Sequence, residues 1–216
     1  MIRHAITPLR LIFWGGLICL LDVKISSVRN GYGFQFDLLN DAVGAVMISI
    51  GVFSLAAIRV DDRYERAMTF VKIMSVLMVL DALREHIDFP EPLPLQIVML
   101  LLGLARLAAT VVFCVAMRRL SAHAGLWRSE ASWRTTTVLF VVIYVVPLGL
   151  LNLVSIPAVA MGERIHLELG PVAFLLLPVF LIPVIHLFVS TSRMRREAEE
   201  SPPRRDETFE KEGALL

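Results

Sequence analysis

Four ionisable residues occupy apolar stretches of the chain that are long enough to lie in a lipid bilayer. Asp81, Arg84 and Glu85 fall together near the end of one apolar run, and Arg106 is isolated among the leucines and alanines of the next. A charged side chain at such a depth is costly unless it faces protein, water or an opposite charge. In these positions the four residues can form a buried ion pair, hold a small solute or ion, or transfer a proton.

Asp81 and Arg106 are predicted to lie at one depth in the membrane. A helix rises about 1.5 Å per residue, which puts Asp81 roughly 21 Å and Arg106 roughly 18 Å from the predicted inner boundary. Because the two runs are expected to form adjacent antiparallel helices, the sequence predicts a strong, directional ion pair between them.

A competing arrangement pairs Asp81 with Arg84, at i,i+3 on the same helix. Arg106 then bonds the Val179 carbonyl, which Pro183 leaves without its helical donor. We favour a structural polar clamp as the role of this cluster, with a solute or ion site and a catalytic site as the alternatives.

Acidic and histidine side chains near the predicted outer face offer ligands for a divalent ion, namely Asp37, Asp41, Asp81, Glu85, His86, His166 and Glu168. Their spacing matches no metal signature such as His-Glu-x-x-His, and the chain lacks Gly-x-Ser-x-Gly and a phosphate-binding glycine loop. Cys19 and Cys114 are interpreted as small buried hydrophobic residues, and His186 is expected to bond a neighbouring backbone group. We therefore predict no metal, no cofactor and no enzymatic activity.

The elements that position these residues are predicted to be membrane helices. The 216 residues are 56% hydrophobic and 19% charged, against about 25% charged residues in a typical soluble domain. The mean hydropathy is +0.70, and the charges are clustered between apolar runs of ~20 residues, the length that crosses a bilayer. The sequence predicts an all-α bundle of six transmembrane helices, at about 9–25, 38–58, 67–87, 95–117, 135–155 and 171–192. These helices form one domain, 1–196, followed by a disordered charged tail, 197–216.

The connections between the helices are predicted from turn formers, prolines and charges. Asn30-Gly31 indicates a turn, and the three prolines of 88–94 indicate a stiff hairpin between the third and fourth helices. Segment 59–66 is expected to be a charged loop, and 121–134, with two tryptophans, is expected to lie at the lipid headgroups. The first helix is short, so that a helix lying in the interface is the alternative.

The orientation follows from the distribution of lysine and arginine. With both termini inside, the inner segments hold sixteen of these residues, the outer segments hold four, and Arg106 lies in the membrane. Because cytoplasmic loops carry an excess of positive charge, this split predicts cytoplasmic N and C termini.

Asp37-Leu38-Leu39-Asn40-Asp41-Ala42-Val43-Gly44, followed by an apolar stretch and Gly51, opens the second predicted helix. Asp and Asn side chains accept hydrogen bonds from the free amides of a first helical turn, so we expect the helix to begin near Leu38. Small residues at Ala45 and Ser49 suit close helix packing. The run resembles the Asp-Ile-Leu-Pro-Asp-x-x-Gly helix opening of small uncharacterised bacterial membrane proteins, with Asn40 in place of the proline. This resemblance, which spans the first two helices, implies a bacterial cell membrane.

The function that the sequence favours is a non-catalytic accessory or scaffolding subunit of a membrane assembly. Its partners are the lipid bilayer and proteins that contact the helix faces or the tail, and no basic block indicates nucleic acid. The alternative is a small-solute or ion transporter with a polar pocket around Asp81 and Arg106.

Overall fold

The fold is helical, as predicted, with one short β-hairpin. A computed structural model describes residues 3–20, 24–29, 32–37, 41–84, 93–161 and 172–200. The helices are α1 (Arg3–Leu20), α2 (Asp41–Ala56), α3 (Asp62–Arg84), α4 (Leu93–His123), α5 (Trp127–Phe140), α6 (Val146–Ala160) and α7 (Val172–Glu200). A π-helical turn (Val141–Val145) joins α5 to α6 in one continuous rod, and the hairpin strands are β1 (Lys24–Arg29) and β2 (Tyr32–Asp37).

Two of the described helical rods are long and apolar enough to cross a membrane. These are α4 and the continuous rod that starts at Trp127. At about 1.5 Å per residue, the 31 residues of α4 span roughly 46 Å, which exceeds a ~30 Å hydrocarbon core. The helix α4 is therefore longer than the hydrocarbon core of a bilayer is thick.

The helices form a closed ring. Each of α1 to α4 packs against the next helix in the chain, α4 packs on α5 and α6, and α7 packs on both α5 and α1. Because α7 returns to α1, the ring encloses a central space, and the polar residues that face inward are brought to this space.

The contact between α1 and α2 depends on glycine. A Cβ atom added to Gly15 would lie 2.5 Å from the Gly44 carbonyl oxygen, and one added to Gly51 would lie 2.6 Å from the Pro8 carbonyl oxygen. The predicted small-residue stripe serves a different contact, because the Ser49 hydroxyl donates to the Ser75 carbonyl of α3 at 3.0 Å. Glycine therefore sets the distance between the first two helices.

The helix α3 begins within the segment that was expected to be a charged loop. Asp61 Oδ1 accepts the backbone N–H of Tyr64 at 2.6 Å, which satisfies a free amide of the first turn. Asp62 and Glu65 then lie in the first turn, where acidic residues suit the helix dipole. The expectation of a loop over 59–66 is confirmed for 59–61 and is wrong from Asp62 onward, because these charges stabilise a helix start.

The segment 121–134, expected to lie at the headgroups, is largely helical. The helix α4 continues through His123 and ends on Gly125, whose φ of 74° is the left-handed conformation that glycine adopts without strain. The N–H of Leu126 bonds the Ser121 carbonyl and the N–H of Gly125 bonds the Ala122 carbonyl, which is a Schellman motif. A tight turn thus joins two long helices.

Other element bounds also differ from those expected. The helix α1 begins before Pro8, although proline lacks an amide donor, and the residues around the predicted Asn-Gly turn pair as strands, with Arg29 opposite Tyr32. The helix α2 begins at Asp41, because Asp37 belongs to β2. The helix α7 continues past the predicted end to Glu200. The prolines of 88–94 are described only from Leu93 onward, and the tail 201–216 lies outside the described residues.

Candidate functional site

Asp81 and two of the three residues predicted to accompany it meet between α3 and α4. Arg106 Nη2 donates to Asp81 Oδ2, and Arg84 Nε donates to Asp81 Oδ1 at 3.1 Å. The Asp81 side chain is 10% exposed. The two pairings that the sequence left as alternatives therefore coexist on one carboxylate, with one arginine on each oxygen. Glu85 lies outside the described residues.

Residue spacing along α3 and the packing of α3 against α4 bring the three side chains of this cluster together. Arg84 follows Asp81 by three residues on α3, which puts both side chains on one helix face. Arg106 reaches the same carboxylate from the adjacent helix α4, at a distance of 25 residues along the chain. The guanidinium of Arg106 is thus held in a defined orientation by Asp81, because each hydrogen bond to a carboxylate restricts it.

Arg106 also lines a cavity of about 310 Å³ at the centre of the ring. Every helical rod contributes to the wall, and most lining side chains are apolar, including Phe13, Val52, Met78 and Phe113. The Nε atom of Arg106 is buried and has no hydrogen-bond partner in the described part of the chain. A buried N–H group without a partner is costly, so this atom favours a ligand that carries an acceptor.

The hydroxyl groups of the cavity wall donate to backbone carbonyls. Ser75 Oγ donates to the Lys72 carbonyl at 2.9 Å, and Thr110 Oγ1 donates to the carbonyl of Arg106 at 3.1 Å. Tyr144, in the π-helical turn, donates to a carbonyl of α7 at 2.6 Å. Since these protons are used within the protein, the partly exposed guanidinium of Arg106 is the side-chain group of the wall that keeps donors for a guest.

The contact of Tyr144 with α7 lies in a proline-rich part of both helical rods. Pro147 lies two residues after the π-helical turn and lacks the N–H that a regular helix would use there. A π-helical turn accommodates such a local change in hydrogen bonding. The acceptor of the Tyr144 hydroxyl is the carbonyl of Phe180, which lies in α7 between Pro178 and Pro183.

A second polar cluster, which the sequence analysis did not identify, joins α5 to α7. Ser190 Oγ lies 2.7 Å from Thr136 Oγ1 and 2.8 Å from Ser132 Oγ, and His186 Nδ1 lies 2.9 Å from Thr136 Oγ1. His186 was expected to bond a backbone group, but its Nδ1 contacts the Thr136 hydroxyl instead. A hydroxyl beside an imidazole is a pair that nucleophilic catalysis uses, but all three hydroxyl residues are buried. This cluster binds two helices together. The sequence does carry a signal for this cluster, because Ser132 and Thr136, and likewise His186 and Ser190, are four residues apart and so share a helix face.

The part of the chain that the structure describes contains no group of side chains suited to bind a metal ion. No three or more His, Cys, Asp or Glu side chains come together among those residues. Of the acidic residues considered as ligands, Asp37 lies in the hairpin, Asp41 begins α2 and Asp81 binds the two arginines. Glu85, His86, His166 and Glu168 lie outside the described residues.

Comparison of the chain with models of known protein families, with curated proteins and with solved structures found no match.

Proposed function

We propose that the chain is a multi-pass protein of the bacterial inner membrane, with six crossing helices and both termini in the cytoplasm. The two rods long and apolar enough to span a bilayer support this proposal, as does the excess of lysine and arginine in the inner segments. Large apolar side chains also point outward on the shorter helix α2 and on α7, as Ile50 and Ile185 do. The likeness of residues 37–44 to a bacterial helix opening supports the choice of membrane.

We further propose that the protein binds a small amphipathic solute in the central cavity and belongs to the class of small-solute transporters. The observation that carries this proposal is Arg106, which lines a mostly apolar wall and whose Nε has no hydrogen-bond partner in the described residues. Of the two functions that the sequence indicates, this cavity favours the transporter over the accessory subunit. A scaffold needs outer helix faces rather than a central cavity.

The wall of the cavity defines the chemistry of the solute. A volume of about 310 Å³ is at the lower end of the usual range for small-molecule sites, which is about 300 to 1,000 Å³. The apolar wall suits a hydrocarbon body, and Arg106 suits a carboxylate, because guanidinium groups bind carboxylates through paired donors. We therefore propose a small organic acid with an apolar body, rather than a bare inorganic ion.

Asp81 has a positioning role in this proposal. It holds one terminal nitrogen of Arg106 and leaves the other donors of the guanidinium for the solute. The arginine has five N–H donors, so one guanidinium can serve both carboxylates. Loss of Asp81 would free the guanidinium to move and would weaken solute binding without removing the cation.

The test is photolabelling of the purified protein in lipid nanodiscs with a diazirine-bearing fatty acid and with its methyl ester. We expect the acid to label peptides of the cavity wall in a saturable manner, and the ester to label them much less. Arg106→Leu should reduce labelling by the acid to the level of the ester. Uptake of the same acid into proteoliposomes should be saturable and should change in Asp81→Asn, which distinguishes transport from binding.

A pair of glycines supplies matched controls for the cavity. A Cβ atom added to either Gly16 or Gly149 meets no atom within 4 Å, so a side chain can be started at both positions without a clash. Gly16 lines the cavity and Gly149 does not. Gly16→Leu should abolish saturable labelling, while Gly149→Leu should leave it unchanged. Equal labelling by acid and ester, unaffected by Gly16→Leu, would overturn the proposal.

A further inference from the structure

The end of α7 binds the start of α5. Glu197 accepts the backbone N–H of Arg128 at 3.1 Å and that of Ser129 at 2.7 Å. The Ser129 hydroxyl donates to the same carboxylate at 2.6 Å. Leu126, the residue before α5, provides no side-chain cap, so a carboxylate from another helix takes that role. The negatively charged carboxylate of Glu197 is therefore hydrogen-bonded to the first amides of α5.

A groove with a volume of about 740 Å³ lies beside this contact. Three arginines line it, Arg128 from α5 and Arg193 and Arg196 from α7. All three side chains are exposed, and none of them makes an ion pair within the described residues. Three further arginines near this end of the bundle, Arg118, Arg119 and Arg195, each pair with a carboxylate. Glu197 and Glu200 also line the groove, and the Glu197 carboxylate is bonded to the amides of α5. The three arginines outnumber these two glutamates, so the groove keeps a net positive charge.

The groove changes from apolar to cationic along α7. Phe188 and Val189 line its lower part and are exposed, Ser192 follows, and the arginines come next. From Phe188 to Arg196 the helix rises roughly 12 Å at about 1.5 Å per residue. A phospholipid changes over a comparable length from acyl chain to glycerol to phosphate. Trp127, 69% exposed, lies beside Arg128 with its ring 5.1 Å from the guanidinium carbon, as interfacial tryptophans do.

We propose that this groove binds an anionic phospholipid of the inner leaflet, with its phosphate on the three arginines and an acyl chain along Phe188 and Val189. The proposal rests on the orientation given under the proposed function, in which this end of α7 is cytoplasmic. The cytoplasmic leaflet carries anionic lipid, and basic pockets between helices on that side bind its headgroups. The charge of the groove favours an anionic over a zwitterionic lipid.

The test is native mass spectrometry of the full chain in mild detergent, titrated with dioleoylphosphatidylglycerol or with dioleoylphosphatidylcholine. We expect the anionic lipid to bind with an affinity at least about tenfold higher than that of the zwitterionic lipid. A variant with glutamine at all three groove positions, Arg128, Arg193 and Arg196, should lose this preference. A variant with lysine at the same positions keeps the charge and should retain most of it.

The matched control removes the same number of charges from the ion-paired arginines, by Arg118→Gln, Arg119→Gln and Arg195→Gln. It should keep the lipid preference, and an equal loss in both triple variants would overturn the proposal. Displacement of the lipid by millimolar inorganic phosphate would indicate an anion site rather than a lipid site and would also overturn it. So would a large gain in lipid affinity on deletion of residues 201–216, since the tail would then be the native occupant.

Failure here and failure of the cavity proposal can be told apart. The groove variants should leave saturable labelling by the diazirine acid unchanged, because no groove arginine lines the central cavity. Conversely, Arg106→Leu should leave the lipid preference intact.

Discussion

Asp81→Asn is expected to destabilise the protein more than either change at its arginine partners. The Asp81 carboxylate is nearly buried and accepts from Arg84 and Arg106 on separate oxygens. Breaking a buried ion pair by removing one partner costs about 3 to 5 kcal/mol, because the other charge is left uncompensated. We expect a loss in this range for Asp81→Asn.

Arg106→Leu should cost less, since Asp81 keeps its contact with Arg84. The loss of one hydrogen bond to a charged group is about 1.5 to 3 kcal/mol. The Arg106 side chain is also 35% exposed, which places this variant at the lower end of that range. In the double variant the stranded guanidinium is absent, so the combined loss should fall short of the sum by at least about 1 kcal/mol.

The measurement is the free energy of unfolding of the purified protein, obtained by titrating a mild-detergent solution with a denaturing detergent and following helicity. Leu101→Ala, at an exposed position of α4, serves as the control and should have a smaller effect than either polar variant. Strictly additive losses in the double variant would refute the interhelical pair as an energetic contact. Coupling would establish the pair, and the labelling experiment would then decide whether a solute binds beside it.

Three further predictions concern packing, pH and topology. Gly15→Ala should cost about 1 to 3 kcal/mol, because its Cβ would overlap the α2 backbone, while Gly16→Ala should be nearly neutral in the same unfolding titration. Burial raises the pKa of Tyr64 above its ordinary value of 10.0. The stability that this phenol contributes should therefore be lost as the pH rises above about 10. Tyr64→Phe should remove this pH dependence, and it should cost about 1 kcal/mol at neutral pH because the hydrogen bond to the Leu55 carbonyl is lost. A cysteine at exposed Ala122 should be protected from an impermeant thiol reagent in intact cells, and one at exposed Met161 should be labelled; the reverse pattern would invert the topology.

The structure changes where such topology probes belong. The sequence suggests Ser121 as an inner loop position, but this residue is fully buried and its hydroxyl lies 3.7 Å from the sulfur of Met194. A cysteine there would be shielded on either side of the membrane. The turn that exposes Ala122 depends on Gly125, whose role is visible only in the hydrogen bonds of the chain reversal.

The helical class and the six helical rods of the described residues agree with the prediction from the sequence. These properties depend on local chemistry, namely the length of apolar runs and a rise of about 1.5 Å per residue. They suffice to place Asp81 and Arg106 at one level on neighbouring helices. The helix ends were less well predicted, because the charges at 61–65 act as a cap and first turn, and because 121–134 is mostly helical around a Schellman motif.

The cavity and the interhelical clusters were decided by the tertiary structure. Thr136 and His186 are 50 residues apart and meet only because α7 packs on α5. Arg106 faces a cavity only because α7 also returns to α1 and closes the ring. The rotation of each helix and its choice of neighbour arise from the packing of whole surfaces, such as Gly15 on Gly44, and no periodic pattern in one helix specifies its partner's face.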